Sequence, residues 1–259
     1  MSTVEVEHTV EGPEDAPVVL LSNSLGATRA MWDPQVPGLA ERYRVITYDT
    51  RGHGESAAPA GPYTLDDLTD DLVALLDEVG AARAHVAGLS LGGMAAMRLA
   101  VREPQRIERL ALLCTSGRPD PQPFLDRAAA VRSGGTAPLA PTVAARWLTP
   151  EYAAEHPELV AKLEAMIAGA DDEGYANCCE VVASVDLRED LARITAPTLV
   201  VAGWQDLALP PAHQQLIADS IPGAELLTVS PGAHLANLEQ PLQVTGLLLG
   251  HFDASGGAR

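Results

Sequence analysis

The chain has 259 residues, 47% of them hydrophobic and 20% charged, enough for one large α/β domain or two small ones. Seventeen Lys and Arg stand against 35 Asp and Glu, a formal charge of −18, so nucleic acid and anionic membrane surfaces are excluded as expected partners. No apolar run approaches the roughly 20 residues that span a bilayer. Residues 1–13 lack the basic flank and apolar stretch of a signal peptide, and a cytoplasmic protein is expected. Cys114, Cys178 and Cys179 form neither a disulfide framework nor a zinc ladder, so no metal site is expected.

In chain order, residues 3–10 (TVEVEHTV) alternate and predict an early strand. Residues 17–22 (PVVLLS) and 43–48 (YRVITY) are continuous apolar runs, the pattern of strands buried on both faces. Residues 65–79 carry apolar side chains at helical spacing, with Gly80 as a stop. A strand at 85–89 (HVAGL), a helix at 91–102 ending before Pro104, and a strand at 109–114 (RLALLC) follow. The alternation breaks at 116–123 (SGRPDPQP), and residues 124–193 read as helices only, punctuated by Pro138, Pro141, Pro150 and Pro157. It resumes with a strand at 197–202 (PTLVVA), a helix at 212–220, a strand at 225–229 (ELLTV) and a last helix from about residue 238. The expectation is an α/β fold: a mostly parallel sheet, helices on both faces, and a helical cap inserted before the last two strands. The core would be 1–118 and 194–259, and the cap 119–193 would lie over the sheet's carboxyl edge, where open α/β sheets bind ligands.

Gly88-Leu89-Ser90-Leu91-Gly92 is a G-x-S-x-G with a strand running into it and a helix leaving it, the setting of a nucleophile elbow. Ser90 then stands at a helix N-terminus, which favours negative charge. A nucleophilic serine needs a base, and the base an orienting acid, in the chain order Ser, Asp or Glu, His. Asp206 follows PTLVVA and His234 follows ELLTV, so both can reach the edge that carries Ser90. Asp120, past RLALLC, is the reserve acid, and His53, in a Gly-flanked turn, reads as structural. The oxyanion donors are assigned to the backbone N–H groups of Leu91, after the nucleophile, and of Leu25, in the loop after PVVLLS.

With those residues placed, the chain resembles the α/β-hydrolase superfamily and, within it, the 3-oxoadipate enol-lactonases. The stretches that carry the likeness are LLSNSLGATRAMWDPQV, YDTRGHGES, GLSLGG, RAAAVRSGG with RWLTPEY, DDEGYANCCEVVASVDL and GAHLANLEQP. Trp204-Gln205 before the acid and Ala236 after the histidine depart from the family pattern. The resemblance implies hydrolysis of a small anionic lactone, 3-oxoadipate enol-lactone, to 3-oxoadipate in the protocatechuate branch of the β-ketoadipate pathway. It implies a Ser90–His234–Asp206 triad and an acyl-enzyme, with no cofactor. A carboxylate-bearing substrate meets a net-negative protein, so a local cation must bind it. Arg132 is the first candidate and Arg146 the second, with Arg127 and Lys162 also in the cap and Trp147 as a pocket wall. Another ester or C–C-bond hydrolase, or a non-catalytic ligand-binding protein on the same scaffold, stays open beside this reading.

Overall fold

The structure, a computed structural model, describes residues 3–254, so residues 1–2 and 255–259 of the predicted core range lie outside the described residues. Seven strands, β1 (His8–Glu11), β2 (Val18–Ser22), β3 (Arg44–Tyr48), β4 (Ala84–Leu89), β5 (Ile107–Leu113), β6 (Thr198–Gly203) and β7 (Glu225–Val229), form one sheet in the order β1-β3-β2-β4-β5-β6-β7. β1 is antiparallel to β3, and every other neighbouring pair is parallel. β4 and β6 are buried along their whole lengths, which is why they read as unbroken apolar runs.

The expected strand at 3–10 begins only at His8. Upstream of it, the Val4 N–H goes to Asp71 Oδ1 at 2.9 Å and the Glu7 N–H to Ser56 Oγ at 2.8 Å, so these donors serve side chains instead of a ladder. The helix α1 (Val36–Ala40) went unread in the sequence, because five residues with a Pro in the first turn show no helical period. α2 (Leu65–Glu78) starts on a capping box. Asp67 N–H reaches Thr64 Oγ1 at 3.1 Å, and Thr64 N–H reaches Asp67 Oδ2 at 2.9 Å. α3 (Leu91–Arg102) packs on α2 and over β2, β4 and β5, while α1 packs with the C-terminal helix α11 (Pro241–Asp253).

Between β5 and β6 the described chain is helical: α4 (Gln122–Gly134), α5 (Ala140–Ala144), α6 (Pro150–Glu155), α7 (Pro157–Ala168) and α8 (Asp172–Ser184). The prolines that punctuate this stretch open helices, since a first-turn residue has no intrahelical N–H bond to lose. α4 packs along α8. The stretch meets the sheet where a Cβ on Gly52 would lie 2.6 Å from the Gly174 Cα, so two glycines permit the approach. α9 (Ala212–Ser220) links β6 to β7, and α10 (Ala236–Glu239) precedes α11.

Chain order places the site. From β2 the chain steps to β3 on one side, then crosses to β4 on the other. The carboxyl ends of β2 and β4 therefore form a topological switch point, the crevice where such sheets bind ligands.

Candidate active site

Ser90 follows β4 with φ 56° and ψ −117°, a left-handed backbone at a non-glycine residue, which costs about 1–3 kcal/mol. Four hydrogen bonds hold it there: Ser90 N–H to Leu113 O at 3.0 Å, Thr115 Oγ1–H to Ser90 O at 2.6 Å, Met94 N–H to Ser90 O at 3.1 Å and Gly92 N–H to Asn23 O at 2.8 Å. The flanking glycines are steric requirements. A Cβ on Gly88 would fall 2.3 Å from Gly92 O, and one on Gly92 would fall 2.4 Å from the Ser22 backbone. The elbow is thus pressed against the end of β2, beside the Asn23–Leu25 loop.

Neither the Leu91 nor the Leu25 N–H has an acceptor among the described residues. Both residues sit at the switch point, where two free donors suit a developing oxyanion. His53 secures that loop. Its Nδ1–H donates to Arg51 O at 3.1 Å, and its Nε2 accepts from the Gly26 N–H at 2.9 Å, which fixes a neutral tautomer. Burial holds this imidazole below its ordinary value of 6.5. Stability from the neutral ring is therefore present above that value and lost as the pH falls through the lowered one. The fall in Tm between about pH 7 and pH 5 is expected to be shallower in His53→Gln than in the wild type, read by circular dichroism melting.

Asp206 and His234 stand in the loops past β6 and β7 and meet as Asp206 Oδ2 and His234 Nδ1 at 2.8 Å, both side chains buried. Asp206 Oδ1 accepts from the N–H groups of Ala208 at 2.8 Å and Leu209 at 2.9 Å, so the carboxylate is fixed before it orients the imidazole. Gln205 clamps the two loops together. Its N–H donates to Gly232 O at 2.9 Å, and its Oε1 accepts from the Gly232 N–H at 3.0 Å. That departure from the family pattern is a structural tie, while Trp204 is 63% exposed and is no pocket wall. His234 Nε2 points the other way, with Ser24 Oγ at 3.5 Å. Ser90 Oγ has no hydrogen bond to the described residues, and bonds of this kind tighten when substrate fills a site.

Ser90, His234, Ser24 and Leu25 line a cavity of about 250 Å³ together with Phe124 and Arg127 of α4 and with Arg146 and Trp147 beyond α5. Trp147 is buried and lines this cavity. Arg146 donates from Nη2 to Leu207 O at 2.6 Å, spanning the helical stretch and the acid loop. Arg132 requires a correction: it does not line the cavity. Its guanidinium lies against Glu180, with Nη2 at 3.1 Å from Oε2, and its Nε is 3.1 Å from Glu173 Oε2 on α8. Arg127 and Arg132 are five residues apart on α4, about 140° around the helix, so only one can face inward. The inward one is Arg127, which stacks 5.3 Å over the Phe124 ring and has no carboxylate partner among the described residues.

Sequence reasoning passed over His213, which lines the cavity with its Nδ1 2.8 Å from Ser116 Oγ. Nothing in its local pattern marks it, because α9 brings it across from a distant part of the chain. Asp120, the reserve acid, also lines the cavity, but its Oδ1 accepts from the Gln122 N–H at 3.1 Å at the start of α4, and Asp206 is the carboxylate on His234. Cys178 and Cys179 are buried, and burial pushes both thiols up, which disfavours the thiolate that a nucleophile needs.

Against known proteins, residues 17–241 match the family model described as the alpha/beta hydrolase fold. The chain is 39% identical over 239 residues to 3-oxoadipate enol-lactonase 2 of Acinetobacter baylyi, covering 92% of this chain and 89% of that one. It is 30% identical over 245 residues to RutD of Stutzerimonas stutzeri, a protein named for carbamate hydrolysis, with 92% of each chain covered. The crystal structure of the enol-lactonase from Burkholderia xenovorans LB400 superposes with a TM-score of 0.94 at 39% identity, covering 96% of each chain. With the family model, these relatives and the sheet topology in agreement, the chain belongs to the α/β-hydrolase fold family, as a hydrolase of esters and lactones.

Proposed function

We propose that this hydrolase opens 3-oxoadipate enol-lactone to 3-oxoadipate, in the protocatechuate branch of the β-ketoadipate pathway. The observation that carries the reading is the presence, in the lining of one small cavity, of Ser90 and His234 together with Arg127 and Arg146. A small lactone bearing a carboxylate arm offers an acyl carbon to the serine and an anion to a cation in the same cavity. The likeness to enol-lactonases supports the same substrate class.

In this mechanism His234 Nε2 takes the Ser90 proton as Oγ attacks the lactone carbonyl. The carbonyl oxygen gains the charge and lies against the Leu25 and Leu91 N–H groups. Collapse breaks the bond from the acyl carbon to the ring oxygen. The leaving group is an enolate, which takes the proton from His234 and tautomerises to the ketone. A water molecule, deprotonated by His234, then attacks the acyl carbon and returns Ser90 with its proton. Asp206 holds the imidazole in the tautomer that this sequence needs. The three cysteines are unpaired, which suits the reducing cytoplasm in which we place the reaction.

The test is loss of ultraviolet absorbance from freshly generated enol-lactone, corrected for spontaneous hydrolysis, with 4-nitrophenyl acetate as a neutral control ester. Fast lactone turnover supports the reading. Turnover of the control ester alone, or of a small carbamate in its place, would retain the hydrolase and remove the lactone. Arg127→Met and Arg146→Met are each expected to raise KM for the lactone roughly ten- to hundredfold, the worth of a charge-assisted bond, with little change on the neutral ester. Arg132→Met, on the outer face, is expected to leave both substrates unaffected.

A further inference from the structure

We propose that Glu239 is a positioning residue for His234 and that, through it, the helical cap holds the base in place. The inference rests on the reading of His234 as the general base. Glu239 ends α10, and its side chain is buried. Oε1 accepts from the Ala233 N–H at 2.6 Å, one residue before His234. Oε2 accepts from the Thr149 N–H at 3.1 Å and from Thr149 Oγ1–H at 2.6 Å. Thr149 Oγ1 in turn accepts from the Tyr152 N–H at 3.4 Å, which leaves its proton for Glu239. All three partners are therefore donors, which an ionised carboxylate satisfies and a carboxylic acid or amide does not. No Lys, Arg or His forms an ion pair with Glu239 among the described residues.

The other side of His234 is held as well. The Leu235 N–H donates to Trp147 O at 2.8 Å. The two amides that flank His234 are thus tied, one directly and one through Glu239, to a single three-residue turn of the cap, 147–149. Trp147 in that turn walls the substrate cavity. The geometry makes the cap part of the catalytic frame: the surface that meets substrate also fixes the loop that presents the imidazole. Asp206 sets the ring's tautomer from Nδ1, whereas Glu239 sets where the loop stands and adds a second buried negative charge near the imidazolium that forms during turnover. The other titratable or charged groups around His234 are Cys114, a thiol that burial pushes well up, and His213, Asp120, Arg127 and Arg146 across the cavity.

Three variants test the brace on the same lactone assay, with circular dichroism and thermal melting to verify folding. Glu239→Gln keeps the shape but turns an N–H₂ toward one donor. Its kcat is expected to fall roughly tenfold with KM changed by less than about twofold, as for a misplaced catalytic group. Glu239→Leu is expected to fall about a hundredfold if it folds. Because both remove a negative charge, the acid limb of their kcat/KM profiles is expected to move to lower pH. Thr149→Val cuts the cap-side hydroxyl bond and keeps the charge, so kcat is expected to fall severalfold while the acid limb stays in place.

Folded Glu239→Gln with wild-type kcat and an unmoved acid limb would overturn the proposal, as would a loss of thermal stability alone. If Glu239→Leu does not fold, Glu239→Gln and Thr149→Val decide it. Ser90→Ala is run alongside. Activity retained in Ser90→Ala removes the serine mechanism itself, whereas an inactive Ser90→Ala with normal Glu239 variants removes only the brace.

Discussion

Ser90→Ala is expected to lower kcat on the enol-lactone by about a millionfold while the protein folds and melts as the wild type does. The size follows from what one oxygen does. Without Oγ no acyl-enzyme forms, His234 has no proton to take from the chain, and only substrate positioning and the two backbone donors remain. The fold is expected to survive for reasons local to the elbow. Alanine carries the same Cβ at φ 56°, so the backbone strain is unchanged. Three of the four bonds that hold the turn use the backbone of Ser90, the fourth joins Gly92 to Asn23, and none uses the Ser90 hydroxyl. Stopped-flow measurement of the first turnover, beside steady-state rates, checks the chemistry, and a melting curve checks the fold. Wild-type turnover by a folded Ser90→Ala would remove Ser90 as nucleophile.

Asp206→Asn is expected to lower kcat roughly ten-thousandfold, through the imidazole and with little structural change. The asparagine Oδ1 can still accept from the Ala208 and Leu209 N–H groups, so the loop keeps both anchors. Its Nδ2–H₂ must then face His234 Nδ1, where a carboxylate oxygen stood at 2.8 Å. An amide donor there makes Nδ1 the acceptor and places the ring proton on Nε2. The nitrogen that should take the Ser90 proton then already carries one. The charge that favours the imidazolium is lost as well. On the proposed reading the cap cations bind the substrate, so kcat is expected to fall and KM to change little. Steady-state kinetics at several pH values check the split, and an equal loss in KM would point to a displaced loop instead.

Much of the fold could be read from local pattern. β4 and β6 are buried on both faces, and their apolar runs needed no other information. α9 and β7 fall where their periodicity placed them, at Ala212–Ser220 and Glu225–Val229. The elbow was legible because strain leaves a mark: only a strand, a serine between two glycines and a helix can make that turn. The misses share one cause. α1 is too short for its own period, and Val36 and Leu39 are buried where it packs with β3 and α11. Residues 3–7 have the composition of a strand but lose their donors to Asp71 and Ser56, 67 and 49 residues away.

The cap arginines show the limit more sharply. Arg132 and Arg146 both carry a cation in the cap, and nothing in their neighbours separates a cation that faces substrate from one that faces Glu173 and Glu180. That is a matter of helix rotation. It is fixed by how α4 lies on α8, a packing between segments about 50 residues apart that no local window contains.

The sequence by itself determined which residue types stand at the strand ends: a serine on a strained elbow, an acid and a histidine past later strands, and backbone amides in the flanking loops. Those features rest on local backbone geometry and chain order, which are written residue by residue. Only the tertiary structure decided which side chains share the cavity, Arg127 in place of Arg132, together with His213. It alone tied Glu239 to Thr149, 90 residues earlier, because such contacts come from packing between elements and from where buried donors find their acceptors.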